Sequence, residues 1–139
     1  MGTGVLLWVF AAGAADWPMW GRTAQRNMVS PEKNLPPSFD PGKTKANSEE
    51  IDMATTKNIK WVAKLGSQAY GNPVVAGGKV FVGTNNESPR DSKYQGDYSM
   101  LMCFEEKTGK YLWQLAVPKL GAGKVSDWEF LGICSSPLV

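Results

Sequence analysis

Asn72-Pro73-Val74-Val75-Ala76-Gly77-Gly78-Lys79-Val80-Phe81-Val82-Gly83-Thr84 reads as two short strands joined by a glycine turn. Asn72 to Val75 is the first strand, with Pro73 near its start, where a missing N–H is tolerated. Ala76-Gly77-Gly78 is the turn, because glycine supplies the positive φ that tight hairpins require. Lys79 to Thr84 is the second strand. Working outward, Asn85 to Asp97 is a long charged loop, and Tyr98 to Glu105 is a third apolar strand. Lys107-Thr108-Gly109-Lys110 is a second turn, and Tyr111 to Ala116 is a fourth strand. Upstream, Ile59, Trp61, Ala63 and Leu65 alternate with Lys60, Val62 and Lys64, a strand period with one mostly polar face. Consecutive short strands with tight turns make an antiparallel meander, so the fold class is all-β.

The same pattern then begins again. Lys60-Trp61-Val62-Ala63-Lys64-Leu65-Gly66 is echoed by Leu112-Trp113-Gln114-Leu115, with Lys119-Leu120-Gly121 further on. Tyr70-Gly71-Asn72-Pro73-Val74-Val75 is echoed by Ile133-Cys134-Ser135-Ser136-Pro137-Leu138-Val139. Each unit runs from a Trp strand through a Gly-containing loop into a small-small-Pro-apolar-Val strand. The second connection is longer, with extra residues centred on Lys119 to Phe130. Sequence repeats of this length signal architectures in which one supersecondary unit is stacked on the next.

From Asn58 on, the units resemble the pyrroloquinoline-quinone (PQQ) repeat. The residues that carry the likeness are Asn72 to Val75, Gly77 to Thr84, Leu101 to Glu105, and Thr108-Gly109-Lys110 leading to Leu112-Trp113. Asp16-Trp17-Pro18-Met19-Trp20-Gly21 resembles the mature start of secreted propellers of this kind, particularly the planctomycete-type ones. The resemblance implies a β-propeller of four-stranded antiparallel blades, with Asn72–Val75 innermost and Trp113 packing against a neighbouring blade. Trp61, Pro73, Gly77, Gly78, Gly109, Trp113 and Pro137 are its structural positions. Residues 58–139 are then one full blade and parts of two others. The pattern breaks off at Val139 inside the next inner strand, so the chain is expected to be the N-terminal piece of a longer propeller.

The repeat occurs in quinoprotein dehydrogenases, which bind the quinone and a calcium ion. It also occurs in non-catalytic propellers, such as the lipoprotein that helps assemble outer-membrane proteins. The dehydrogenases carry a pair of adjacent cysteines over the cofactor, and none appears here. The blades that carry that pair are expected beyond residue 139, so the repeat does not settle function. The first expectation is a binding or assembly scaffold, with two alternatives: the start of a PQQ-dependent dehydrogenase, and a carbohydrate- or polymer-binding surface module. No catalytic set and no cofactor site are expected within these residues. PQQ and calcium belong to the dehydrogenase alternative. The implied partners are the remaining blades, and envelope proteins or polymers.

Composition narrows the chemistry further. The chain has 139 residues and a formal net charge of +2, with no basic stripe of the kind that nucleic-acid binding needs. There is no His, which removes His-based acid/base chemistry and His metal ligation from this stretch. The two cysteines, Cys103 and Cys134, form no CxxC motif. They are expected to be separated by too great a distance for a disulfide, and so to be two buried free thiols.

Several local features invite sharper readings. Leu120 to Val125 looks like a phosphate loop, but Pro118 stands where the first Gly is needed and Val125 where Ser or Thr would hold magnesium. It is read as an interblade connection. Glu87, Asp91 and Asp97 share a loop with Asn85 and Asn86, without the ligand spacing of a calcium loop, and are read as solvated. Tyr70, Asn72, Ser135 and Ser136 stand where inner strands begin. They are the candidates for a site at a channel mouth, against the plainer reading that they cap strand backbone.

The N-terminal third is organised differently. Val5 to Ala12 is an apolar run followed by Ala12-Gly13-Ala14, the pattern of an export signal over residues 1–14, although no basic n-region precedes it. The alternative is a buried apolar strand or helix. The run is too short to span a bilayer. An extracytoplasmic location, in the periplasm or at the cell surface, is expected. Residues 15–57 contain Pro31, Pro36, Pro37 and Pro41 among charged residues and read as an extended arm. The plainer reading is a solvated linker; the sharper one is an arm that Trp17 and Trp20 are expected to pin to the propeller.

Overall fold

The computed structural model describes residues 15–120 and 128–139. The expected export signal at 1–14 and the Gly121–Val125 part of the phosphate-loop look-alike lie outside the described residues. A two-stranded ladder pairs β1 (Lys43–Thr44) with β2 (Ile51–Asp52), followed by a 3-10 turn over Met53–Thr55. The main sheet consists of β3 (Val74–Ala76), β4 (Lys79–Asn85), β5 (Tyr98–Glu105) and β6 (Tyr111–Pro118). Its order is β3-β4-β5-β6 and every pairing is antiparallel. There is no α-helix among the described residues.

Turn chemistry sets this meander. Gly77 and Gly78 sit at φ 56° and 72°, the two consecutive positive values of a type I′ hairpin, whose twist suits flanking strands. A Cβ on either would meet nothing, so the requirement is conformational rather than steric. Gly109 closes the β5–β6 turn at φ 73°, and its N–H donates to the Glu105 carbonyl at 2.8 Å. Here the space is also needed, since a Cβ would lie 2.5 Å from Cδ2 of Trp61. A register shift between Cys103 and Phe104 lets Leu112 bulge out of the β5–β6 ladder.

Strand alternation then sorts the side chains onto two faces. Val82, Met100, Met102 and Phe104 form the core on one face. Trp61, Ala63 and Leu65 cover them, together with Tyr94, Tyr98, Tyr111 and Ala116. Burying each of the large side chains contributes about 1.5–3 kcal/mol. The other face carries Val74, Phe81, Cys103, Trp113, Leu115 and Val117. Val74 and Cys103 are fully buried, but Trp113, Leu115 and Val117 remain 42%, 54% and 44% exposed.

Four expectations need correction. Ile59 to Leu65 keeps the predicted alternation, with Trp61, Ala63 and Leu65 half-buried and Lys60, Val62 and Lys64 exposed, but it joins no ladder. It lies over the face of the sheet, where its backbone has no strand edge alongside. The first strand of the meander begins at Val74 rather than Asn72, because Pro73 has no N–H and the Asn72 N–H is engaged elsewhere. The arm is not extended throughout. Its part from Asp40 to Lys57 pairs on itself through β1–β2, the Asp40–Lys57 bridge, and an Asp52 Oδ1 cap on the Ala54 N–H at 3.1 Å. Finally, Cys103 and Cys134 are both free, but only Cys103 is buried and Cys134 is exposed.

Of the two tryptophans expected to pin the arm, Trp17 does so through its backbone. Its N–H donates to the Val75 carbonyl at 2.7 Å, and its carbonyl accepts from the Val75 N–H at 3.0 Å. Trp20 instead lies exposed beneath the Arg26 guanidinium, 5.2 Å from the ring centre.

Candidate functional site

The four sequence candidates fall in two segments that meet just before β3. The Asn72 N–H donates to Ser136 Oγ at 3.0 Å. Gly71 is buried with its α-carbon so close to the Ser135 carbonyl that a Cβ would collide with it. Asn72 and Ser135 are exposed, and the Tyr70 ring is 61% exposed. Three of the candidates are thus brought together, while Tyr70 projects outward beside them. The chemistry available is hydrogen bonding. Ser136 Oγ already accepts a backbone N–H.

A polar cluster sits next to this meeting point, and two of its members, Asn85 and Asn86, fall in the segment that the sequence reads as a solvated loop. Thr84, Asn85 and Asn86 are buried at the end of β4. Asn85 Oδ1 accepts from the Ser67 N–H at 3.0 Å and the Glu87 N–H at 3.2 Å. Its Nδ2 donates to Ser67 Oγ at 2.8 Å and to the Phe130 carbonyl at 2.6 Å. Thr84 Oγ1 accepts from the Gly66 N–H at 3.0 Å and donates to the Gln68 carbonyl at 2.8 Å. Asn86 Nδ2 donates to the Tyr94 carbonyl at 2.7 Å. Gly66 and Gly132 both approach closely, and a Cβ on either would strike the Asn85 backbone. The strand end is therefore clamped between the segments preceding each small-small-Pro motif.

The acidic residues of the long loop do not converge. Glu87 accepts from Ser67 Oγ, Asp91 pairs with Lys93 at 3.2 Å, and Asp97 pairs with Lys119 at 2.9 Å. Asp97 also accepts from the Phe130 N–H at 2.9 Å. Burial acts to raise the Asp97 carboxyl, but the Phe130 and Lys119 hydrogen bonds and the lysine charge outweigh it and hold the group below its usual range. Among the described residues no group of three His, Cys, Asp or Glu side chains could hold a metal ion. Burial pushes the Cys103 thiol up, so it stays protonated and unreactive.

An open groove of about 1020 Å³ lies between the arm at Ser48–Met53 and the segment from Lys60 to Ser67. Phe104, Gly109 and Tyr111 contribute to its lining. Arg90 stacks over Phe104 and Tyr111, with its guanidinium carbon 5.6 and 5.1 Å from their ring centres, and donates to the Lys64 carbonyl. On the rim, Glu49 pairs with Lys64 and Glu50 with Lys45. Burial raises the Tyr111 phenol, which leaves it neutral at physiological pH.

The residues assigned to the repeat motif fall into two environments. The Trp61 indole N–H donates to the Glu106 carbonyl at 2.8 Å, and the ring packs on Gly109. Among the described residues Trp113 has only Phe81 as a ring neighbour, at 5.9 Å, and is 42% exposed. Pro73 and Pro137 follow Asn72 and Ser136, the pair joined by a hydrogen bond. No described helix is long and apolar enough to cross a membrane. No protein-family model, curated protein or solved structure matches the chain.

Proposed function

We propose that the chain is part of an extracytoplasmic β-propeller of PQQ-type repeats that serves as a binding or assembly scaffold. The observation that carries this reading is the contact between equivalent positions of the two repeats. Gly71 touches Ser135, and Asn72 donates to Ser136, each residue meeting its own counterpart. Repeats arranged around a common axis bring counterparts together at the inner strands. The sequence-order meander supplies the blade, and the preceding Trp61 segment lies on one of its faces. The apolar face with Trp113, Leu115 and Val117 is where a following blade would pack. The export-signal pattern over residues 1–14 supports the location.

The dehydrogenase alternative would bring adjacent cysteines, calcium-ligating carboxylates and a quinone on the propeller axis. Electron cryomicroscopy of the protein purified from its native source, with PQQ and calcium in the buffer, tests both levels. A toroid with no quinone on its axis is expected. A toroid holding the quinone would replace the scaffold by the dehydrogenase, and a particle without radial repeats would overturn the propeller itself.

A further inference from the structure

β3 is only three residues long and stands at the edge of the sheet. Edge strands leave backbone groups without ladder partners, and half-buried ones must find them elsewhere. The arm provides them. Trp17 exchanges both backbone hydrogen bonds with Val75, as an added strand would. One residue earlier, both Asp16 carboxylate oxygens lie 3.3 Å from the Gly77 N–H in the hairpin turn. One residue later, the Pro18 carbonyl accepts from the Val139 N–H at 3.0 Å. Val75 and Val139 are the counterparts at the ends of the two small-small-Pro motifs. Three consecutive arm residues therefore hold one repeat's turn, its inner strand, and the same position of the following repeat.

The arm is itself fixed at both ends of this contact. The Ala15 N–H donates to Glu32 Oε1 at 2.6 Å. After Pro18 the chain doubles back through Gly21, which is buried at φ 76° with Arg26 packed against it. We propose that Asp16–Pro18 form a strap that couples the two repeats, so that order at Val139 depends on the pairing at Val75. The proposal needs only these hydrogen bonds and stands whether or not the repeats close into a propeller.

Amide hydrogen exchange followed by NMR on the whole chain is the test. Trp17→Pro removes the N–H that Val75 receives while leaving the Pro18 carbonyl that Val139 uses. With two backbone bonds disturbed, exchange at both Val75 and Val139 is expected to rise about tenfold or more. Trp17→Phe keeps the backbone and is expected to change neither. Faster exchange at Val75 with Val139 unmoved would overturn the coupling. Equal effects from Phe and Pro would show that the indole ring, not the strand-like pairing, makes the contact, which also overturns it. Should Trp17→Pro loosen the β4–β5 amides as well, Asp16→Ala is the milder probe. It should speed Gly77 and Val139 together by a few-fold, and an unchanged Val139 would again reject the strap.

Discussion

Trp61 and Trp113 are the same residue of the repeat in two different surroundings. Trp61 rests on Gly109, donates to Glu106, and tilts against Phe104 with ring centres 6.3 Å apart. Trp113 has Phe81 on one side and solvent on the other. The difference lies in what the chain offers next. A Thr-Gly-Lys turn follows the first tryptophan and receives its ring, whereas nothing described receives the second. Trp61 thus has a receptor in the Gly109 turn, and Trp113 has no comparable one among the described residues.

The sharpest way to break this comparison is to fill the receptor. Gly109→Ala places a Cβ against the indole at a backbone φ of 73°, so strain and overpacking add. It should destabilise the chain by about 2–4 kcal/mol in urea unfolding. A change below about 0.5 kcal/mol would mean that the ring does not depend on that turn.

A smaller effect comes from exchanging the rings themselves. Trp61→Phe loses the indole donor and leaves the Glu106 carbonyl short of a partner, at a cost of about 1–2 kcal/mol. Trp113→Phe, on the exposed side, should cost less than about 0.5 kcal/mol. Thermal melts of the pair decide whether the two environments differ as described, and equal losses would erase the distinction.

The open face gives a third test, read in association rather than stability. Leu115 is more than half exposed beside Trp113 and Val117 on a strand whose far edge is unpaired. Such a surface favours self-association. Leu115→Lys should shift sedimentation of the chain toward monomer at high concentration while leaving its melting temperature within about a degree or two. No shift would remove the apolar face as a contact surface.

The smallest expected effect is acid sensitivity at Asp97. Its carboxyl is held below its usual range in the folded chain, so its stabilising contribution is present above the unfolded pKa of about 3.9. That contribution is lost as pH falls through the lower folded value. Asp97→Asn should lower stability near neutrality and flatten the decline below about pH 4. A decline of unchanged steepness would show that other carboxylates govern it.

The four-stranded sheet was legible because its turns are written in glycine and its strands alternate. Gly77-Gly78 and Thr108-Gly109-Lys110 mark where the chain reverses, and the strands between them reach their partners without a long search. The Ile59–Leu65 segment was harder, because alternation reports which side chains are buried and says nothing about whether the backbone has a neighbour. Lys43–Thr44 and Ile51–Asp52 were not legible, since two-residue strands carry no period. At the candidate site, the equivalence of Asn72 and Ser136 could be read, but their contact could not. Asn85 and Asn86 read as loop residues in the sequence, because a polar pair after a strand ordinarily faces water. Asn85 is held by Ser67 and Phe130, which are remote in sequence, and Asn86 by the Tyr94 and Gly96 carbonyls across the loop.

The hairpin at Gly77–Gly78 has a consequence in time as well as in shape. β3 to β6 join neighbours along the chain, so their contacts close short loops and can form in microseconds. The Asp16–Gly77 contact spans 61 residues and Asn72–Ser136 spans 64. Longer loops cost more entropy to close, so these contacts reward the chain only after the sheet exists to receive them. In pulse-labelled refolding the amides shared by β4 and β5 should be protected first, with Val75 and Val139 following. The chain would thus assemble from its middle outward and fasten its two ends last.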